Sequence, residues 1–314
     1  MRAIAVWHSG DTPELAELPV PRPAPGEVLV KLAAAAVNPM DLGMANGLFE
    51  RRMPHVYPMV LGVDGAGVVE AAGEEVGGLR PGDLVHGQFL WAPVGHGTFA
   101  EYAAVPEFPD SGALQLVPDG VPVEVAAALP TAGMTAMGIV DAVAPRPGQT
   151  ILIVGATGGV GAFAVQLAAA RGARVIATAR PDAEMWIRRL GAADTVDYTA
   201  GPVAGQVGKT NPDGVDAVLD LTRDPDGFAE RTELVRDGGA ALSITFAATP
   251  ELLAADRITV TNFMMTDKPG LLARVTAEVA AGRVTAPIQR TISLDEVPGA
   301  LAGGGARGKT VVRI

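Results

Sequence analysis

The residues best placed to do chemistry are the glycines of ILIVGATGGVG, Ile151 to Gly161. A short apolar run, Thr150–Val154, ends in Gly155, Ala156, Thr157, Gly158, Gly159, Val160 and Gly161, and the apolar run AFAVQLAAARGA follows. Glycines at this spacing let a chain turn sharply out of a strand, bring backbone amides up to a bulky anion and pack a helix tightly on the strand. The helix that starts there aims N–H groups and the positive end of its dipole at the same point. The chemistry is capture of a dinucleotide pyrophosphate. A second strand-like run, Arg174–Thr178, comes next in order and supplies the context that a glycine run alone lacks; a ligand-free glycine turn is the bland alternative. That second run closes in Thr178-Ala179-Arg180. A site for NAD places a carboxylate there to bind the ribose 2′-hydroxyl, and none is present. A guanidinium suits a 2′-phosphate, so NADPH is favoured over NADH, with a merely solvated Arg180 as the alternative. Asp182 follows, but Pro181 sets it in a helix's first turn, where the dipole accounts for it.

The elements that must position these residues fall into two textures. Up to about residue 122 short apolar runs alternate with Pro and Gly turns. They are Val28–Leu32, Ala66–Val69, Leu84–His86, Phe99–Val105 and Leu114–Val117, and they predict a β barrel or sandwich. From Val123 to Val143 the chain is Ala-rich and helical in pattern, with a break or kink at Pro130. Strand-like runs (Thr150–Val154, Arg174–Thr178, Thr195–Asp197, Val215–Leu219, Ala240–Ile244, Ile258–Asn262) then alternate with helix-like ones (Val160–Arg171, Ala183–Leu190, Phe228–Val235, Leu271–Ala281). Such alternation predicts right-handed βαβ units and a doubly wound parallel sheet. From about Val284 short strands return (Gln289–Ser293, Thr310–Arg313). The expected organisation is therefore one domain from residues 1–122 plus 284–314, with an α/β domain over 123–283 inserted into it.

Composition bounds the function. With 314 residues, 48% hydrophobic and 19% charged, the chain can bury large cores and general disorder is excluded. A net charge of -11 opposes nucleic acid. The absence of cysteine removes disulfides, a thiol nucleophile, Cys-ligated zinc and iron–sulfur clusters together. The uncharged stretch Ile151–Ala170 is long enough to span a bilayer, but four glycines in it argue for strand, turn and helix, so no membrane role is expected. The opening MRAIAVWHSGD shows one basic residue and no secretory apolar core, so a cytoplasmic protein is expected. His8, His55, His86 and His96 are scattered, with none at i,i+4 spacing, and read as surface or turn histidines.

The chain resembles the zinc-independent quinone oxidoreductase branch of the medium-chain dehydrogenase/reductase superfamily, nearly end to end. The matching segments are AAVNPMD (Ala35–Asp41), LGVDGAGVVEAAG (Leu61–Gly73), LRPGDLVHG (Leu79–Gly87), GTFAEYAAVP (Gly97–Pro106), AAALPTAGMTA (Ala126–Ala136), RPGQTILIVGATGGVGAFAVQLA (Arg146–Ala168), LGAADTVDY (Leu190–Tyr198) and ARGKTVVRI (Ala306–Ile314). The resemblance implies a GroES-like β-barrel domain made from both chain ends and a Rossmann domain inserted into it. It also implies a nicotinamide bound in the cleft between them. Asn38 stands where zinc-using relatives place a metal-ligating Cys, Thr131 resembles the threonine that packs by the nicotinamide ring, and Tyr198 resembles a tyrosine near the adenosine phosphate. Asn38-Pro39 is also a common turn pair, Thr131 could satisfy a broken helix, Tyr198 could cap a strand, and Asp41 reads as a helix cap. Where zinc-using relatives carry His-Glu, this chain has Val63 and Asp64, so no metal is expected.

Without a Lewis acid, alcohol oxidation loses its means of forming an alkoxide. Hydride delivery to a quinone or an α,β-unsaturated carbonyl remains feasible, with Asn38 as candidate donor to the developing oxygen charge. Enoyl-thioester reductases of the family place a tyrosine soon after the NPxD segment; here Gly47-Leu48-Phe49 has none, and Tyr57 is the candidate substitute. Ala183 replaces a lysine that helps many relatives hold the 2′-phosphate, which leaves that task to Arg180 and Tyr198. Arg51 and Arg52 could greet an anionic acceptor or simply be solvated. Two rival readings are a dedicated biosynthetic ene-reductase or isomerase and a non-catalytic NADPH-binding protein. The apolar edge run Arg257–Met264 predicts a homodimer.

Overall fold

The Pro- and Gly-punctuated first part of the chain folds, in a computed structural model that describes residues 1–303 and 307–314, into short strands around one small helix. These are β1 (Arg2–Val6), β2 (Glu14–Glu17), β3 (Glu27–Ala36), α1 (Pro39–Ala45), β4 (His55–Val60), β5 (Asp64–Ala72), β6 (Leu84–Gln88), β7 (Val94–His96), β8 (Tyr102–Pro106) and β9 (Ala113–Leu116). Helices α2 (Val123–Ala128) and α3 (Pro130–Val143) follow, separated at Pro130 as the missing amide requires. The middle of the chain alternates regularly. It runs β10 (Thr150–Val154), α4 (Gly159–Ala170), β11 (Arg174–Thr178), α5 (Pro181–Arg189), β12 (Asp194–Val196), α6 (Val203–Thr210) and β13 (Val215–Asp220), then α7 (Pro225–Thr232), β14 (Val235–Ser243), α8 (Pro250–Leu253) and β15 (Thr259–Asn262). The end of the chain gives α9 (Lys268–Ala280), β16 (Ile288–Ser293), α10 (Val297–Gly303) and β17 (Lys309–Arg313). Ala306, which opens the last matching segment, lies outside the described residues.

The chain divides into Met1–Met134 with Asp267–Ile314, and Thr135–Thr266. The second unit is one parallel sheet in the order β12-β11-β10-β13-β14-β15. Numbered within the unit, that is 3-2-1-4-5-6, the doubly wound order of dinucleotide-binding folds. Its central strand β10 is buried along its whole length, which explains why it carries no polar alternation. Its core gathers Leu152, Ile176, Val218, Phe228 and Val260.

The first unit holds two sheets, β2-β1-β4-β7 and β16-β17-β3-β5-β6-β9, with β8 also paired to β3. Strand β17, from the chain's end, lies antiparallel to β3 with Val311 opposite Ala36, and β5 lies on the other side with Asp64 opposite Ala36. The register therefore brings Lys309, Asp64 and the residues after Ala36 to one end of the sheet. Helix α2, expected at the head of the α/β domain, instead lays Ala126, Ala127 and Ala128 against Ala34, Ala66 and Val311. Helix α9 also belongs here, through Gln115 Nε2 donating to Thr276 Oγ1 at 2.9 Å. Both fall outside the limits expected from composition, because a helical pattern shows where a helix begins and not which sheet it covers. Strands β1, β2, β4 and β7 and helices α1, α6, α8 and α10 were not singled out; most are short and lack a clean period.

His86 corrects the surface reading of the histidines. It is wholly buried on β6, its Nδ1 2.9 Å from the Ala126 carbonyl and its Nε2 3.0 Å from Gln115 Nε2. Burial pushes its pKa down to about 4. An unfolded His86 takes up a proton near pH 6.5, while the folded one refuses it until about 4. This contribution to stability is complete above pH 6.5 and is lost as pH falls toward 4, by on the order of 3 kcal/mol. Asp41 opposes it, since burial raises its carboxyl to about 7 and the folded state gains a proton first. The contributions separate in a variant: the stability of the wild type over His86→Gln, from urea unfolding, should shrink between pH 6.5 and 4. A difference that stays flat with pH contradicts the assignment.

Candidate active site

At the C-terminal ends of the parallel strands, three glycines serve three separate ends. Gly155 leaves β10 with φ +78°, and its N–H donates to Thr178 Oγ1 at 3.0 Å, tying the turn to β11. A Cβ on Gly161 would stand 2.3 Å from the Gly155 carbonyl and 2.6 Å from Ala156 Cα, so glycine there lets α4 start directly on the strand end. Gly158 is different. It has extended backbone (φ -77°, ψ 176°) and an added Cβ meets nothing nearer than 3.4 Å. Neither backbone nor packing requires glycine at Gly158, and the bare space lies at the N-terminus of a helix with no acidic residue in its first turn. That is a cradle for an anion that must approach the amides closely.

Beside it, Thr178 is buried at the end of β11 and spends its hydroxyl oxygen on the Gly155 amide, a positioning role. Arg180 stands at the N-cap position of α5, its side chain 64% exposed, and it pairs with Asp182 at 3.9 Å. Hydrogen bonds from Thr199, and more weakly the Arg180 charge, hold the Asp197 carboxyl below its ordinary value. Tyr198 follows, half exposed. Sequence reasoning missed the floor of this mouth. Asp220, buried at the end of β13, accepts from Thr222 Oγ1 at 2.6 Å and from Arg231 Nε at 2.7 Å, and Thr222 in turn borders Gly155.

In the other unit, Asn38 and Thr131 meet on Asp64, a residue weighed in the sequence only for metal. Thr131 Oγ1 donates to Asp64 Oδ1 at 2.7 Å, the Thr131 N–H lies 3.1 Å from both carboxylate oxygens, and Gln88 Nε2 donates to Thr131 Oγ1 at 2.7 Å. Asn38 Nδ2 donates to Asp64 Oδ2 at 2.9 Å and to the Ala36 carbonyl at 3.1 Å, and its Oδ1 accepts from Lys309 Nζ at 2.7 Å. The Asn38 amide is thus fully engaged inside the protein and has no proton left for an acceptor. Asp41 accepts from the Asn38 N–H at 2.6 Å and from the Val63 N–H at 3.0 Å, so it caps α1 and also fixes β5. Lys268 Nζ donates to Gln88 Oε1 at 2.8 Å. Tyr57 stands apart: it is exposed and its hydroxyl donates to Glu50 Oε1 at 3.1 Å, with burial and Glu50 raising its pKa. Arg51 and Arg52 are exposed.

This geometry accompanies clear relationships. Residues 24–119 match the model of the alcohol dehydrogenase GroES-like domain and residues 159–271 that of the zinc-binding dehydrogenase. NAD(P)H oxidoreductase RTN4IP1, mitochondrial, of Mus musculus is 32% identical, covering 92% of this chain and 82% of that protein. The 2-methylene-furan-3-one reductase of Solanum lycopersicum is 32% identical over 91% of this chain and 71% of its own length. The solved quinone oxidoreductase of Coxiella burnetii superposes with a TM-score of 0.85 at 26% identity, covering 100% of this chain and 99% of that one. The chain belongs to the medium-chain dehydrogenase/reductase superfamily, in its quinone oxidoreductase-like branch. It is an oxidoreductase with a GroES-like domain and a Rossmann domain that takes a nicotinamide cofactor.

The zinc named by one of those family models does not fit this chain. Val63 offers no lone pair, the Asn38 amide is engaged, and an ammonium sits among the oxygens. Among the described residues no three or more His, Cys, Asp or Glu are grouped to hold a metal, and no helix is long and apolar enough to cross a membrane. The glycines give a paired prediction. Gly161→Ala should lower the melting temperature, because backbone atoms stand in the way of the new Cβ. Gly158→Val should leave the fold intact while abolishing nucleotide binding in calorimetry. A Gly158→Val protein that still binds contradicts the cradle.

Proposed function

We propose that this oxidoreductase uses NADPH to deliver hydride to a quinone or an α,β-unsaturated carbonyl, without a metal. The observation that carries the reading is Gly158, whose empty space at the start of α4 serves no purpose in the fold itself. Arg180 at the end of β11, in place of the carboxylate an NAD site uses, supports the phosphorylated cofactor. Gly155, Ala156, Thr157, Gly158, Gly159, Val160 and Gly161 would hold the pyrophosphate; Arg180 and Tyr198 would hold the adenosine phosphate. Bound NADPH supplies the hydride. With no Lewis acid among the side chains, the acceptor must be electrophilic already, and the protein contributes orientation and exclusion of water.

In this reading Thr131 works beside the reacting rings. Its proton is committed to Asp64 and its oxygen accepts from Gln88, so it presents a fixed oxygen rather than a free donor. Asn38 acts through Asp64 as a positioning residue. Tyr57 remains the candidate proton donor, and it gives its proton only by leaving Glu50. The proposal includes a cytoplasmic setting and a homodimer; β15 ends the parallel sheet, and an unpaired edge strand is a surface for pairing.

Arg180→Ala should weaken NADPH by roughly 1.5–3 kcal/mol, the range for a charge-assisted contact, while leaving NADH nearly unchanged in calorimetry. Equal losses for both would remove Arg180 from the 2′-phosphate site. Wild-type protein should oxidise NADPH with small quinones and enones. Turnover of a single elaborate substrate alone would select the dedicated biosynthetic reading, and tight NADPH binding without any turnover would select the non-catalytic one.

A further inference from the structure

Asp64 and Asp41 are completely buried, and carboxylates taken out of water need a nearby cation or protonation. The cation is supplied from the far end of the chain. Lys309, 2% exposed on β17, donates from Nζ to Asn38 Oδ1 at 2.7 Å and to the Val37 carbonyl at 3.0 Å, and its Nζ lies 3.8 Å from Asp64 Oδ2. Burial favours the neutral amine, while Asp64 and Asp41 favour the ammonium. Asp41 and Asp64 repel one another, and the second cation that Asp64 feels is Lys268 at the start of α9, whose ammonium is occupied with Gln88 Oε1 and the Ser111 carbonyl. Lys309 is thus the cation set among Asn38, Asp64 and Asp41, in the segments where zinc-using relatives carry their metal ligands and where this chain has no donor set for one.

We propose that Lys309 is a positioning residue whose ammonium supplies the fixed positive charge that a metal ion would otherwise supply, holding Asp64 as the acceptor that orients Thr131 and Asn38. With the charge in place, Asp64 accepts the Thr131 hydroxyl proton and one Asn38 amide proton, and both side chains are locked. Without it, Asp64 is an unpaired buried carboxylate or takes up a proton. A protonated Asp64 would turn donor toward Thr131 and release the Thr131 hydroxyl to rotate. The functional half of the proposal rests on the reading above, in which Thr131 works beside the reacting rings; the charge balance itself does not.

Two experiments on the full chain test it. The first is a stability cycle of Lys309→Met, Asp64→Asn and the double variant, by thermal unfolding. Each single change strands a buried charge, so the double variant should be clearly less destabilised than the sum of the two. Strict additivity overturns the pairing. The second uses the absence of cysteine: Lys309→Cys can be alkylated at one place only, in the unfolded chain before refolding. The 2-bromoethylamine product restores an ammonium of nearly lysine length, whereas the iodoacetamide product is neutral. With NADPH and a small quinone, Lys309→Met and the neutral product should lose about tenfold to a hundredfold in kcat, as for a displaced reacting group. The NADPH Kd should barely move, and the aminoethyl product should recover most of the kcat. Unchanged kcat in the neutral forms, or a loss that the ammonium does not recover, overturns the positioning role. Coupling in the stability cycle of a chain that oxidises no NADPH would overturn the proposed function and leave the charge pairing standing.

Discussion

The nucleotide-binding unit depends on a contact between two pieces of backbone. The start of α4 lies so close to the end of β10 that a single Cβ on Gly161 would overlap the Gly155 carbonyl and Ala156. That closeness sets the first amides of the helix at the mouth of the sheet, where the helix field is strongest and no side chain covers it. The remaining elements maintain this opening. Thr178 ties the turn to β11, Asp220 and Arg231 fix Thr222 behind it, and the fully buried β10 anchors the strand end from which everything is measured.

The other unit solves a different problem, the burial of charge. Its sheet takes in a strand from the end of the chain, and the β17–β3 and β3–β5 registers bring a lysine and an aspartate together at one end of it. Two carboxylates and an ammonium out of water are tolerable because nearly every lone pair and proton finds a partner. The consequence is rigidity: Asn38, Thr131 and Gln88 have their side-chain dipoles fixed before any ligand arrives.

In the α/β half the order of the strands and the glycine turn were legible, whereas α6 and α8 were not, and the helix expected over Phe228–Val235 ends at Thr232, with Val235 opening β14. Thr150–Val154 and Arg174–Thr178 form strands with the expected limits because buried parallel strands are continuous apolar runs cut off by glycine or a charge. The glycine turn was equally plain, since its spacing reflects local backbone needs. What escaped was non-local. Nothing beside Asp64 reveals that its counter-charge arrives with Lys309, so Asp64 was weighed only against the metal ligands of zinc-using relatives and Asn38 was expected to be a free donor. His86 looked like a turn histidine because its acceptor is the backbone of α2, a helix whose attachment no periodicity discloses. A charged residue inside an otherwise small and apolar strand, as in GVDGAG or GKTVV, was the available signal.

The most direct measurement is a crystal structure of the chain grown with NADP⁺. The account predicts the pyrophosphate against the amides of Gly158 and the first turn of α4, within van der Waals reach of the Gly158 Cα, and the 2′-phosphate against the Arg180 guanidinium. A dinucleotide seated away from that turn, or a 2′-phosphate with Arg180 turned to solvent, would contradict it.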